Sequence, residues 1–273
     1  KSATQAGEYK GIKVINVAGH DTQCAVCAMP AEPNKTPAFL SCGTWSLIGC
    51  ENDKPILTEK SMNDELSNEL GANGKINYLK NISGLWLIQE IRRNFKSEGK
   101  EYSYNDMEQL ARGAKAFEFF IDPDDASFAT PKNMPQKFCA FCEKTGQGKP
   151  ESDGAMIRCI YESLAMKYRF AIEQIEENTG KKFDVLHLLG GGTKDSFLCQ
   201  MTADSLNMDV IAGPTEATAL GNIILQLVAL GDIKDVDEGR EIIKSSEKLS
   251  TYKSENADAF ASAYDKFVKI LNK

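Results

Sequence analysis

The stretch FDVLHLLGGGTKDSF, residues 183–197, joins a short apolar run to three consecutive glycines and a polar segment. The apolar run, residues 185–189, has the length of a buried strand. The glycines are Gly190, Gly191 and Gly192. Thr193 follows them and is of a residue type that caps helices, so a strand, a turn and a helix start are predicted. Such a turn can bring N–H groups to an anion, but a tight turn without a ligand explains the same residues.

The composition of the 273-residue chain is that of an ordinary soluble globular protein, with 42% hydrophobic and 26% charged residues. Its length allows one large domain or two small ones. The net charge of −7 argues against nucleic acid as a partner, because no excess of Lys and Arg is available to neutralise phosphates.

Neither a membrane anchor nor a secretion signal is predicted, because no apolar run approaches the ~20 residues of a membrane span. We therefore expect a cytoplasmic location and no membrane partner. The chain begins with Lys1 and not with Met, which leaves open a targeting segment or a whole domain before it.

Eight cysteines are spread along the chain, and two pairs have C-x-x-C spacing, Cys24/Cys27 and Cys139/Cys142. A zinc ribbon brings its two pairs much closer together in sequence, and the chain has only two histidines as further ligands. Small apolar neighbours around Cys24 and Cys27 favour core positions on a helix. Cys142 and Cys159 could form a bridge across the loop between them, whereas free thiols are the default in a cytosolic protein.

Apolar periodicity and helix-breaking residues divide the rest of the chain into strands and helices. Strands are predicted at residues 12–17, 39–41, 45–49, 75–79, 117–121, 185–189, 209–212 and 248–253. Helices are predicted at residues 22–29, 83–95, 104–114, 135–144, 152–180, 193–206, 216–230, 240–245 and 258–271. Residues 1–9 read as a polar tail, and residues 51–74 as a long loop with one turn of helix. This order predicts an α/β fold with a mixed sheet covered by helices.

Asp21 is the best candidate for a catalytic base, because it directly follows a predicted strand on a turn made by Gly19. A carboxylate there points from the end of the sheet toward a cleft, where open α/β sheets bind ligands. His20 and Thr22 flank it. A helix N-cap at Asp21 explains the same position, and Thr22 could take that role instead. The second histidine, His187, lies within an apolar strand and is expected to be a hydrogen-bonded core residue.

Other polar residues lie where they could contact a phosphate. Gly43 and Thr44 form a predicted turn with a hydroxyl and free N–H groups, although a plain hairpin explains it as well. Asn81 and Gln89 flank the start of a helix, and Lys194 follows the three glycines without the frame of a P-loop. Two glycine turns, a hydroxyl and one carboxylate suit phosphoryl transfer, which needs positioning, charge neutralisation and a group to accept a hydroxyl proton.

Six stretches, taken together and in this order, resemble the FGGY family of carbohydrate kinases. They are AGHDT (18–22), FLSCGTWSLIG (39–49), LKNISGLWLIQE (79–90), PESDGAMIRC (150–159), HLLGGGTKD (187–195) and VIAGPTEATALGNI (210–223). The resemblance is strongest to the branch that acts on L-rhamnulose. It implies an actin-like, ribonuclease H-like ATPase fold in two domains with the active site between them. Residues 1–273 resemble only the C-terminal, nucleotide-binding domain, so the N-terminal sugar-binding domain is expected to be absent from this chain.

The resemblance also implies an activity, which is the ATP-dependent phosphorylation of a deoxyketose, L-rhamnulose to L-rhamnulose 1-phosphate. Mg²⁺ would bridge the phosphates and be held largely by the nucleotide and water. By resemblance, Asp21 deprotonates the sugar hydroxyl, while His20 and Thr22 line the sugar side. The residues that match ATP contacts are Thr44, Asn81, Gln89 and Gly191, with Gly190 and Gly192 beside them.

Alternatives to this activity remain open. The chain could be a nucleotide-binding domain without activity of its own, or part of a kinase for a related sugar such as L-fuculose. A thiol or zinc protein built on the paired cysteines is a third hypothesis. The absence of the other domain would leave an apolar interface exposed, which predicts self-association.

Overall fold

The computed structural model describes residues 3–272, and within that range it contains nine strands and ten α-helices. The strands are β1 (Thr4–Tyr9), β2 (Ile12–Asn16), β3 (Pro37–Cys42), β4 (Trp45–Asn52), β5 (Ser67–Leu70), β6 (Ile76–Ser83), β7 (Val185–Leu189), β8 (Asp209–Ala212) and β9 (Ser250–Tyr252). The helices are α1 (Asp21–Cys27), α2 (Glu59–Asn63), α3 (Trp86–Ser97), α4 (Tyr104–Gly113), α5 (Met134–Lys144), α6 (Asp153–Thr179), α7 (Ser196–Leu206), α8 (Ala217–Leu230), α9 (Val236–Ser246) and α10 (Ala257–Leu271). Short 3-10 turns lie at Ala72–Gly74, Ala126–Phe128 and Gly191–Lys194.

Seven strands form one mixed sheet in the order β5-β6-β4-β3-β7-β8-β9. β3 is parallel to β7 and β7 is parallel to β8, whereas the other neighbours are antiparallel. Parallel strands end at the same edge of a sheet, so Cys42 at the end of β3 and Leu189 at the end of β7 lie on one edge. The turn at Gly43 and the turn with three glycines therefore meet there. The predicted mixed sheet with helices on it is confirmed.

Helices cover both faces of the sheet, as the apolar residues on each face require. The long helix α6 lies under one face together with α3, α4, α5, α7 and α10. The opposite face carries α1, α8 and α9. Helices α1 and α8 touch at the backbone, because a Cβ at Gly221 would lie 1.8 Å from the carbonyl oxygen of Cys24. This close contact holds the middle of α1 against α8.

Strands β1 and β2 form a separate hairpin that packs against α8. On its other face Tyr9, Ile12 and Val14 are 65%, 68% and 47% exposed. The prediction of a polar tail was wrong over Thr4–Tyr9, because these residues pair with β2, while Lys1 and Ser2 lie outside the described residues. A hairpin alone is only marginally stable in water, so its contact with α8 stabilises it.

The predicted strand at residues 117–121 was also wrong. Its backbone N–H groups at Phe117, Phe120 and Ile121 donate to side chains, namely Glu162, Gln147 and Ser163. Side-chain acceptors thus replace the neighbouring strand that a sheet would supply. The predicted loop over residues 51–74 instead contains α2 and the edge strand β5.

All cysteines of the described range are free thiols, and only Cys139 among them is more than slightly exposed. The Cys142 and Cys159 side chains are in hydrogen-bond contact, which lowers the pKa of Cys142, whereas burial raises the pKa of Cys159. Within residues 3–272 no group of three or more His, Cys, Asp or Glu side chains is placed to hold a metal ion. None of the helices in this range has the length and apolar character needed to cross a membrane.

Candidate active site at the strand ends

Most of the residues singled out from the sequence line one cavity of about 680 Å³, which we call the Asp21 cavity. Six segments of the chain form its walls. Its polar lining includes His20, Asp21, Thr22, Thr44, Glu69, Asn81, Gly190, Gly191, Thr215 and Glu216. The fold thus brings together residues that lie far apart in the sequence.

Asp21 opens α1 and its side chain is 71% exposed, so the carboxylate faces the cavity. Its Oδ1 accepts a hydrogen bond from the backbone N–H of Thr22 at 2.7 Å and lies 3.2 Å from Nε2 of His20. The N-cap residue is His20, whose side chain makes no capping hydrogen bond, so neither Asp21 nor Thr22 is the N-cap. Thr22 is buried. The Asp21 carboxylate is free to accept a proton from a ligand.

The turn between β3 and β4 presents Thr44 to the cavity. The carbonyl groups of Gly43 and Thr44 accept hydrogen bonds from the N–H groups of Leu85 and Trp86, both at 3.0 Å. These bonds attach the turn to the start of α3. No hydrogen-bond partner of the Thr44 hydroxyl is recorded within residues 3–272, so this group can donate to a ligand.

The turn with three glycines has a different structure at each glycine. Gly190 has φ of +86°, a conformation that favours glycine. A Cβ at Gly191 would have no neighbour within 4 Å, so its backbone is open to the cavity. A Cβ at Gly192 would lie 2.3 Å from Sγ of Cys42, and Gly192 lines neither the Asp21 cavity nor the cavity that adjoins it. Gly192 is therefore a packing position, and a nucleotide contact there stays a prediction.

The helix after this turn starts later than predicted. Thr193 donates its hydroxyl hydrogen to the carbonyl oxygen of Gly190 at 2.8 Å and lies 2.7 Å from the hydroxyl of Thr215. The N-cap of α7 is Asp195, which accepts from the N–H of Leu198 at 3.0 Å. Thr193 thus connects the glycine turn to the segment before α8 and caps no helix.

A second cavity of about 580 Å³, which we call the Gln89 cavity, continues from the first. Gly43, Thr44 and Gly191 line both cavities. The rest of its wall combines apolar, aromatic and polar side chains, which are Leu85, Ile88, Gln89, Tyr104, Asn105, Glu108, Tyr161, Lys194 and Asp195. A pocket that combines apolar walls with a few polar groups is typical of a site for a nucleoside.

Asp195 is the most perturbed carboxyl group at this cavity. Burial raises its pKa, while hydrogen bonds from Leu198 and Tyr161 act in the opposite direction. The hydroxyl of Tyr161 donates to Oδ2 of Asp195 at 2.8 Å. Burial first, and then the neighbouring Asp195 charge, raise the pKa of Tyr161, so the phenol stays protonated and remains a donor.

His187 takes no part in either cavity. It is buried within β7 as predicted, but neither ring nitrogen has a hydrogen-bond partner within the described part of the chain. The expectation of a hydrogen-bonded histidine was therefore wrong. Burial lowers the pKa of His187 to about 4, and the nearby charges of Arg240 and Lys35 act in the same direction.

Sequence reasoning missed several residues that line the cavities. Glu69 lies on β5, within the segment predicted as a loop, and Glu216 directly precedes α8. Asn105 and Glu108 lie on α4 and face the Gln89 cavity. The four residues of β5 show no clear strand periodicity, so no sequence signal could have found Glu69.

This arrangement suits one kind of chemistry. One carboxylate at Asp21 can accept a proton, while N–H groups and a hydroxyl on two neighbouring turns can bind phosphate oxygens. The adjoining Gln89 cavity has room for the remainder of a nucleotide.

Residues 38–230 match the FGGY family of carbohydrate kinases, C-terminal domain. The chain is similar to a rhamnulokinase of Bacteroides thetaiotaomicron, with 41% identity over 256 residues that cover 94% of this chain and 52% of the relative. It is also similar to a rhamnulokinase of Oceanobacillus iheyensis, with 43% identity over 239 residues that cover 88% of this chain and 50% of the relative. The chain thus spans about half the length of these relatives.

Solved structures show the same fold at low sequence identity. A xylulose kinase from Rhodospirillum rubrum has a TM-score of 0.73 at 14% identity, over 99% of this chain and 56% of its own. A Plasmodium falciparum glycerol kinase with ADP has a TM-score of 0.70 at 15% identity, over 98% of this chain and 55% of its own. The actin-like ATPase fold expected from the sequence is confirmed.

Proposed function

The chain belongs to the FGGY family of carbohydrate kinases, and we propose that it is the nucleotide-binding half of an ATP-dependent sugar kinase. The observation that carries this proposal is the arrangement of Asp21, Thr44, Asn81 and Gly191 around one cavity that continues into a second. ATP places its phosphates between Thr44 and Gly191 and its nucleoside in the Gln89 cavity. The glycerol kinase of the same fold was solved with ADP, which supports a nucleotide as the ligand.

In the proposed reaction Asp21 acts as the base. Its carboxylate accepts the proton of a sugar hydroxyl, and the hydroxyl oxygen forms a bond to the γ-phosphorus of ATP. The bond between the γ-phosphorus and the bridging oxygen breaks, and ADP leaves with the electron pair. Thr44, Asn81 and the N–H group of Gly191 bind and orient the phosphates. His20 and Thr22 line the Asp21 cavity and would contact the sugar beside Asp21.

The donor set of the Asp21 cavity fits a magnesium ion that is held mainly by phosphates and water. Asp21 and Glu216 bring carboxylates to the cavity, but no three ligand side chains converge within residues 3–272. These carboxylates would accept hydrogen bonds from waters on the ion. Mg²⁺ bound there would neutralise the charge that develops on the phosphates.

The favoured sugar is L-rhamnulose, which would give L-rhamnulose 1-phosphate. Both relatives described above are rhamnulokinases, and they are 41% and 43% identical to this chain over 94% and 88% of its length. A kinase for L-fuculose is the alternative within the same chemistry. Because the reaction consumes ATP, we place it in the cytoplasm.

A second domain is part of the proposal, since the relatives are about twice as long as this chain. It would supply most sugar contacts and close the side of the Asp21 cavity that is open in this chain. The isolated chain would then bind nucleotide without turning it over.

Nucleotide binding can be tested on this chain directly by calorimetric titration with Mg-ATP. Thr44→Val replaces the hydroxyl with a methyl group and is expected to weaken binding by about tenfold, because a hydrogen bond to a charged phosphate is lost. Thr251→Val, an exposed position on β9, is the matched control and should leave binding unchanged. Absence of any binding at ~1 mM ATP would contradict the proposal.

The base assignment is tested in the two-domain protein by sugar-dependent release of ADP. Asp21→Asn should lower kcat by about 10²- to 10⁴-fold while leaving the Kd for Mg-ATP unchanged, because only proton acceptance is lost. Asp209→Asn, at the opposite edge of the sheet, should have no effect. Turnover of Asp21→Asn at the wild-type rate rules out Asp21 as the base, and a comparison of kcat/KM for L-rhamnulose and L-fuculose identifies the sugar.

A further inference from the structure

Asp21 is held in place only by its immediate neighbours in sequence. Its recorded contacts are the N–H of Thr22 and the ring of His20, and no side chain from the sheet holds its carboxylate within the described residues. The position of Asp21 relative to the sheet therefore depends on how the first turn of α1 is attached.

Gln23 provides that attachment two residues later in the same turn. Its side chain is buried between α1 and the edge strand β5 with its neighbour β6. Nε2 of Gln23 donates to Oε2 of Glu69 at 2.5 Å. Oε1 of Gln23 accepts from Nδ2 of Asn77. Glu69 on β5 and Asn77 on β6 are directly paired residues. The NH₂ group and the oxygen of the Gln23 side chain are therefore both bound to this pair of strands.

The carboxylate of Glu69 determines the direction of this chain of hydrogen bonds. An ionised carboxylate only accepts, so the NH₂ group of Gln23 must point toward it. The oxygen of Gln23 then points at Asn77, which must present its own NH₂ group. As a result Oδ1 of Asn77 is buried without a partner within residues 3–272, a cost that the remaining bonds must offset.

We propose that Glu69, acting through Gln23, is a positioning residue that fixes the first turn of α1 and with it Asp21. This inference rests on the proposed function, in which Asp21 is the base. Glu69 also lines the Asp21 cavity, yet its hydrogen-bonded oxygen is directed at the helix. A misplacement of about 1 Å at a reacting group can lower the rate of a reaction by about 100-fold, so the attachment matters for turnover.

Hydrogen exchange on this chain tests the attachment without any assay of activity. Glu69→Leu removes the acceptor and should speed exchange of the α1 amides by about tenfold or more, because a charge-assisted hydrogen bond is lost. Glu69→Gln keeps an acceptor oxygen in the same place and should exchange like the wild type. Asn68→Ala is the matched control on β5, because its amide binds the main chain of Ile56 and makes no recorded contact with α1.

An exchange of charges between the two positions keeps the test decisive even if Glu69→Leu does not fold. Gln23→Glu alone places two carboxylates face to face and should loosen α1. Gln23→Glu combined with Glu69→Gln should restore the wild-type exchange, because the amide introduced on β5 would donate to the carboxylate introduced on α1, and Asn77 would still find an acceptor. Failure of the double variant to recover, or equal loosening by Asn68→Ala, would overturn the proposal.

In the two-domain protein the same variants separate positioning from direct substrate contact. Glu69→Leu should lower kcat by about 100-fold with the Kd for Mg-ATP unchanged, and Glu69→Gln should stay close to the wild type. If Glu69→Gln is as impaired as Glu69→Leu, the charge itself acts on the substrate and the positioning role is wrong. Wild-type turnover of Asp21→Asn would instead refute the proposed base, while the exchange experiment still decides the attachment.

Discussion

Burial governs the behaviour of His187 at the scale of the single residue. The ring lies inside β7 without a hydrogen-bond partner in the described part of the chain, and its pKa is lowered to about 4. An unfolded chain would hold this histidine near its ordinary pKa of about 6.5. The unfolded state therefore binds more protons than the folded state between these two values, and acid favours unfolding there.

We expect the free energy of unfolding to fall by up to about 1.4 kcal/mol per pH unit between pH 6.5 and about 4 because of His187 alone, with no contribution above pH 6.5. Urea denaturation at pH 7.5 and 5.0 measures the effect. His187→Leu cannot titrate and should lose about 2 kcal/mol less over this interval than the wild type. An equal pH dependence for His187→Leu and the wild type would contradict the prediction.

The sequence identified the residues of the cavity whose chemistry is visible in a local pattern. Thr44 and Gly191 each follow a strand of the parallel pair β3 and β7, and the ends of such strands converge at one edge of the sheet. Asp21 follows β2, which belongs to the separate hairpin, so the predicted position at the end of the main sheet does not account for its place in the cavity. Glu69 could not be found in this way, because it is brought to the cavity by the pairing of β5 with β6. The lack of a hydrogen-bond partner for the His187 ring could not be predicted from the sequence either, because it depends on which residues pack around the ring.

At the scale of the element, the glycine turn combines two different requirements. Gly192 is pressed against Cys42, whereas Gly191 faces open space at the junction of the two cavities. An added methyl group should therefore lower the stability of the fold at Gly192 and weaken nucleotide binding at Gly191.

Gly192→Ala should lower the free energy of unfolding by about 1–3 kcal/mol, because its Cβ would lie 2.3 Å from the buried Sγ of Cys42. Gly191→Ala should unfold like the wild type but bind Mg-ATP more weakly, since its methyl group would enter the cavity. Thermal denaturation and calorimetric titration of both variants provide the measurements. A pair of variants with equal stability would contradict the packing argument.

Elements with long periodic patterns and the short buried strands β7 and β8 were predicted well, whereas other short elements were not. Helix α6 starts after the cap Ser152 and ends at Gly180, as its apolar stripe and terminal residues indicated. Residues 117–121 have the composition of a strand, but distant side chains take its N–H groups, and no local pattern encodes that. Strand β1 was missed because its polar residues form an exposed hairpin, in which alternation carries little information.

At the scale of the whole molecule, the hairpin of β1 and β2 carries an exposed apolar face. Tyr9, Ile12 and Val14 lie on one face of it, and β2 ends five residues before Asp21. This position suits the second domain proposed above.

Without such a cover the chain should self-associate through the hairpin, since exposed apolar residues on a short sheet favour contact with another copy. Analytical ultracentrifugation over a range of concentrations is expected to show dimers or larger species. Ile12→Lys together with Val14→Lys should give a monomer, whereas Leu57→Lys, at an exposed leucine of another segment, should not. A wild-type chain that remains monomeric at high concentration would contradict the prediction.

The wall shared by the two cavities has a consequence for protein engineering. It consists of Gly43, Thr44 and Gly191, so the junction is made of backbone and one small hydroxyl, without a charged side chain. Residues that would select the sugar lie on one side of this junction, and residues that would select the nucleobase lie on the other. The acceptor and the donor of the phosphoryl group can therefore be redesigned one at a time, with the junction left unaltered as a common module.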